Sequence, residues 1–125
     1  MAFGVKERVK ETDKPKATRY YSSKQEKQVA KDLQGKCTSN SGATDFGGKG
    51  DVLLENFLLE CKTKVSPSNS ISIKKEWFDK NNKEAVFMGK PYSALVFNFG
   101  PDQQNYYIIN EELFEVLIDK IKNLK

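Results

Sequence analysis

The sequence predicts an α/β domain of the α+β or three-layer type, with helices flanking a mixed central β-sheet. Three observations carry that expectation. Along the chain the elements read helix, three strands, helix, two strands, helix, an order that layers helices on a sheet. Residues 51–62 (Asp-Val-Leu-Leu-Glu-Asn-Phe-Leu-Leu-Glu-Cys-Lys) hold two short apolar runs around Glu55-Asn56, the pattern of a tight hairpin. Residues 110–124 repeat apolar side chains at helical spacing.

Residues 1–21 are polar, highly charged and without apolar periodicity, which predicts a flexible basic arm ending in Arg19-Tyr20-Tyr21. A single domain is expected over residues 22–125. Its first helix starts at Ser22 or Ser23 and runs to about Gln34, with Gly35 as the stop. Cys37-Thr38-Ser39 reads as a short strand, and residues 40–50 as a glycine-rich loop leading into Asp51. If Glu55-Asn56 is a two-residue turn, Leu54 pairs with Phe57, Leu53 with Leu58, Val52 with Leu59 and Asp51 with Glu60. Val65 to Ser70 is a Ser/Pro turn region. A second helix is expected from Ile73 to Met88, capped by Ser70 or Ser72 and stopped by Gly89. Trp77 shares a helical face with Ile73 and Ala85, which reads as core packing or a subunit interface. Tyr92–Phe99 and Tyr106–Ile109 are runs of strong β formers separated by a turn at Pro101 to Gln104. Asn110 then caps a helix whose stripe of Leu113, Phe114, Leu117, Ile118, Ile121 and Leu124 is expected to lie in the core.

At 125 residues the chain suits one domain, small enough for a site to be completed by a second copy. No apolar run approaches the ~18 residues of a membrane helix, and the first residues lack the apolar core of a secretion signal. Two cysteines, Cys37 and Cys61, make neither a disulfide framework nor a metal-ligand spacing, so a reducing cytoplasm is the expected setting. The chain has no histidine, which excludes His-based triads and His-ligated zinc. Acids, bases and metal ligands must come from Asp, Glu or Lys. The net charge of +4 is unevenly spread, the excess of Lys and Arg lying before residue 76 and acidic residues prevailing after it. Such asymmetry suits a phosphate-binding face as well as a solvated surface.

The hairpin carries the chemistry. Its register sets the Asp51 and Glu60 carboxylates opposite each other, roughly 5 Å apart at Cβ. Side chains alternate along a strand, so Lys62 joins Glu60 on one face while Leu59 and Cys61 point to the other. Facing like charges destabilise a sheet unless something neutralises them, and a divalent cation is the obvious candidate. Mg²⁺ held by Asp51 and Glu60, with the backbone carbonyl of Cys61 as a further ligand, suits hydrolysis of a phosphodiester. Lys62 would orient or deprotonate the attacking water, or stabilise the scissile phosphate. Glu26 precedes Val29, Ala30 and Leu33 by three, four and seven residues, which places it on the inward face of its helix. It either completes a Ser23-x-x-Glu26 capping box or stands beside the metal site.

Asp51 followed by Glu60-x-Lys62, with Glu26 on the first helix, resembles the PD-(D/E)xK nuclease core. The residue before Asp51 is Gly50 where that family usually has proline. Ser41-Gly42-Ala43 ahead of Lys49-Gly50-Asp51, together with Arg19 through Glu26, is similar to the smaller archaeal and phage Holliday-junction resolvases. The resemblance covers roughly residues 19–100. It implies a restriction-endonuclease-like core and a homodimer acting on branched DNA with Mg²⁺, for which Mn²⁺ may substitute. It also implies a site role for Ser41 and for Glu26, Asp51, Glu60 and Lys62. Arg19, Lys49, Lys64, Lys74 and Lys75 are candidate phosphate contacts, and Tyr20 and Tyr21 could stack on unpaired bases. A general phage-type nuclease or nickase on duplex DNA, and a non-catalytic DNA-binding protein, are the alternatives.

Overall fold

The computed structural model describes residues 18–38 and 51–124. Helix α1 (Thr18–Leu33) leads into β1 (Lys36–Cys37), β2 (Asp51–Leu53) and β3 (Phe57–Lys62). Helix α2 (Lys75–Phe87) then crosses over to β4 (Tyr92–Phe97), β5 (Tyr106–Ile108) and α3 (Glu111–Lys122). The five strands form one mixed sheet in the order β1-β2-β3-β4-β5, with β3 and β4 parallel and the other neighbours antiparallel. The chain is thus an α+β domain, and no described helix is long and apolar enough to cross a membrane.

The hairpin register is the expected one: Asp51 faces Glu60, Val52 faces Leu59 and Leu53 faces Leu58. Leu54 N–H bonds the Phe57 carbonyl at 3.0 Å, which closes the two-residue turn. Lys90 reaches over from the start of β4 and donates to the carbonyls of Leu54 (2.7 Å) and Glu55 (2.9 Å), pinning that turn to the neighbouring connection.

Strand alternation divides the side chains between two helices. On one face Val52, Leu59, Cys61, Ala94 and Val96 pack with Val29 and Ala30 of α1. The other face holds Asp51, Leu58, Glu60, Lys62 and Leu95, and α2 lies over it. Asn81 of α2 is buried there, its amide donating to the carbonyls of Leu58 and Ala94.

Several expectations need correction. Helix α1 opens at Thr18, so Arg19, Tyr20 and Tyr21 are helical and Ser23 is an interior residue. A capping box at Ser23 is therefore excluded. The helix ends as Gln34 turns left-handed (φ 60°) and Gly35 N–H bonds the Ala30 carbonyl at 2.8 Å, a Schellman closure. Gly35 is demanded by space, since a Cβ there would lie 2.6 Å from the Leu53 carbonyl oxygen. Helix α2 is capped at Lys74 with no side-chain cap bond, so neither Ser70 nor Ser72 has that role. Its stop is Gly89, as expected, at φ 75°.

The largest difference is α3. Asn110 does cap it, its side chain accepting from Leu113 N–H at 2.8 Å. Of the apolar stripe, only Leu113 is buried; Phe114, Leu117, Ile121 and Leu124 are exposed, Ile121 at 62%. The period of a stripe tells that a helix has an apolar face, and not what covers it. Here α1 and α2 already occupy the two faces of the sheet, leaving α3 to follow the edge strand β5.

Candidate functional site

Three of the expected residues come together on the α2 side of the sheet. Asp51 opens β2, and Glu60 and Lys62 close β3, so the hairpin and its alternation alone set their positions. The Lys62 ammonium sits 3.0 Å from a Glu60 carboxylate oxygen and 4.3 Å from the centre of the Trp77 ring. A cation over an indole face is attracted by the ring quadrupole. Trp77, read from the sequence as core or subunit-interface packing, is half-buried and lies under the Lys62 ammonium.

Asp51 is the unusual group. It is only 4% exposed, and no described residue bonds its carboxylate. Burial pushes its pKa up to about 8, and the charges of Glu60, Glu84 and Glu26 push the same way, with Lys80 opposing. Glu84 is itself raised by burial and by Glu60. Lys62, meanwhile, is engaged by Glu60 and Trp77.

Glu84 and Lys80 were missed in the sequence, as was the place of Trp77 beside Lys62. Trp77, Asn81 and Glu84 fall at i, i+4 and i+7, one face of α2, and that spacing was the available signal. What the spacing could not tell was that this face lies over the carboxylate hairpin.

Glu26 is buried in the interior of α1, on the opposite face of the sheet, with its pKa raised by burial. Among the described residues it has no hydrogen bond or ion pair, and its charge is felt by Cys37 and Cys61 as well as by Asp51. Cys61 is buried in the α1-side core, so that position can offer the site its backbone carbonyl and not its thiol. Ser41 and Lys49 lie outside the described residues. Of the other candidate phosphate contacts, Arg19 and Lys74 are exposed, and Lys64 is half-buried beyond the end of β3. Lys75 is exposed and paired with Asp79 at 3.0 Å.

Among the described residues no three acidic or thiol side chains converge closely enough to hold a metal ion as they stand. Two carboxylates suffice for a cation that retains several waters, as Mg²⁺ does. The Asp51 carboxylate opposite Glu60 offers oxygen donors that fit such a hard ion. Scans against family models, curated proteins and solved structures find no match to this chain, so its residues and their geometry alone carry the functional reading.

Proposed function

We propose that the chain is a Mg²⁺-dependent DNA endonuclease that hydrolyses phosphodiester bonds in branched DNA, with the four-way junction as its substrate and a homodimer as its working form. The observation that carries the reading is the buried Asp51 carboxylate facing Glu60, with the Lys62 ammonium held beside them. Asp51 and Glu60 would hold the cation, with the Cys61 carbonyl as a further donor. A bound Mg²⁺ supplies a water of lowered pKa and neutralises charge building on the phosphate. To hold a cation, the Asp51 carboxyl would have to release the proton that burial favours. Glu60 and Trp77 restrict the Lys62 ammonium to the rim of this pair, where it can donate to the scissile phosphate or orient the attacking water. Lys74 opens the helix that carries Trp77, which suits a phosphate contact close to Lys62.

The exposed face of α3 supports the dimer. Phe114, Leu117, Ile121 and Leu124 offer a contiguous apolar stripe. The helix is acidic in its first turn (Glu111, Glu112) and basic in its last (Lys120, Lys122). Two copies packed antiparallel would cover the stripe and set acidic ends beside basic ones, as a two-fold interface requires. Paired sites on opposed strands are what symmetric nicking of a junction needs.

The test is strand cleavage of a labelled four-way junction and a matched linear duplex, each in Mg²⁺ and in EDTA, with wild type, Asp51→Asn and Glu60→Gln. Paired, metal-dependent nicks confined to the junction are expected, lost in both variants while DNA binding stays equal or tightens. Cutting of both substrates would move the function to a general nuclease. Binding without any cleavage in Mg²⁺ or Mn²⁺ would favour a non-catalytic DNA-binding protein.

A further inference from the structure

We infer that a second site, on the α1 side of the strand that carries Lys62, accepts a single unstacked nucleobase. Strands β3 and β4 are parallel, and their carboxyl ends are Lys62 and Phe97. In α/β sheets the crevice beyond the carboxyl ends of strands is the usual place for a ligand. Here that crevice is a cavity of about 190 Å³, lined by Tyr21, Gln25 and Gln28 of α1 and by Asn98, Gln103 and Asn105 beyond β4. A cavity of ~150 Å³ is enough for a benzene ring, so the space suits one planar ring system.

The hydrogen-bond inventory of the lining points to a ligand with both donors and acceptors. Gln25 is 5% exposed; its Nε2 donates to the Lys62 carbonyl at 3.0 Å and to Asn105 Oδ1 at 3.1 Å, and its Oε1 has no donor. Asn98 is 4% exposed, and its Oδ1 accepts from Thr63 Oγ1 and from the N–H groups of Lys64 and Gly100. Three donors on Oδ1 fix the orientation of that amide, and its Nδ2 donates to no described group. Gln25 Oε1 is thus a buried acceptor without a donor in the wall of this cavity, and Asn98 Nδ2 is a donor that no described residue takes. The edge of a nucleobase presents a donor and an acceptor side by side, and carboxamides are the side chains that pair with such an edge. Tyr21 adds an aromatic wall on which a base can stack. At the rim Lys24 and Asp102 form a 2.8 Å ion pair that joins α1 to the turn before β5. Through Gln25 the cavity grips the backbone of Lys62, whose side chain points to the other face. The inference draws on the proposed function only for nucleic acid as the source of the base.

The side-chain amide resonances of the ¹⁵N-labelled protein test this in EDTA, where no cleavage is read, so the site and the nuclease reading can fail separately. Titration with deoxyadenosine and deoxycytidine monophosphates should shift the Asn98 and Gln25 amide signals saturably, and deoxyribose 5-phosphate should leave them in place. A short single strand should shift the same signals, and its abasic counterpart should not. Response to the strand but not to mononucleotides would assign the pocket to a base presented on a chain. Asn98→Asp keeps the three accepted bonds and removes the donor; Tyr21→Leu removes the stacking wall. Each should weaken binding about tenfold, within the range measured for loss of base stacking. Unmoved amides, or equal shifts with the sugar phosphate or the abasic strand, would overturn the inference.

Discussion

At the scale of single residues, Asp51 sets the behaviour of the site. Its folded pKa of about 8 stands far above the ordinary carboxylate value of 3.8. Between those values the folded state binds a proton that the unfolded chain has released, so stability falls as pH rises through this window. In EDTA, thermal melts of the wild type should decline from pH 5 to 8.5, and Asp51→Asn should flatten the decline and melt higher at pH 8.5. A parallel fall in both proteins would mean that Asp51 is solvated and that its burial carries no such cost. The juxtaposition of Asp51, Glu60 and Lys62 was legible because they recur at fixed offsets in a local hairpin. The contribution of Glu84 was not, since it depends on which sheet face α2 covers, a matter settled by a crossover of long sequence separation.

At the scale of elements, the tight seams are where α1 meets β2 and where β2 meets its turn. Gly35 has no room for a Cβ against Leu53 and Leu54. Gly35→Ala should destabilise the fold by about 1–3 kcal/mol, the usual cost of overpacking, in chemical denaturation; an unchanged midpoint would show that β2 gives way easily. Gly35 was read correctly as marking the end of α1, but for a different physical reason, because Gln34 takes the left-handed turn. The capping reading of Glu26 failed because local sequence offers two serines as helix starts and cannot show that the helix begins earlier. The Asn110 cap and the hairpin register succeeded because both are decided within four to ten residues, by the chain's own hydrogen bonds.

At the scale of the whole molecule, the unburied stripe of α3 is the main departure from expectation. Amphipathicity was plain from the spacing of Leu113, Phe114, Leu117, Ile118, Ile121 and Leu124. Its partner was not, because a core and an interface leave the same pattern in one chain. Ile121→Glu places a charge in the exposed stripe, away from every core contact. It should convert a dimer to a monomer in analytical ultracentrifugation with little change in monomer stability, and junction cleavage should lose its pairing of nicks. A wild-type monomer at concentrations of tens of micromolar would remove α3 as the dimer contact.

The two-residue turn held by Lys90 also constrains how this chain can vary over generations. Because side chains alternate, gaining or losing one residue within either hairpin strand would carry Asp51 or Glu60 through to the α1 face. Exchanges of Val52, Leu53, Leu58 or Leu59 for residues of similar volume leave the pair opposed. The inherited quantity is therefore a count of eight intervening residues more than their identity, and descendants of this chain can drift in composition there while their length stays locked.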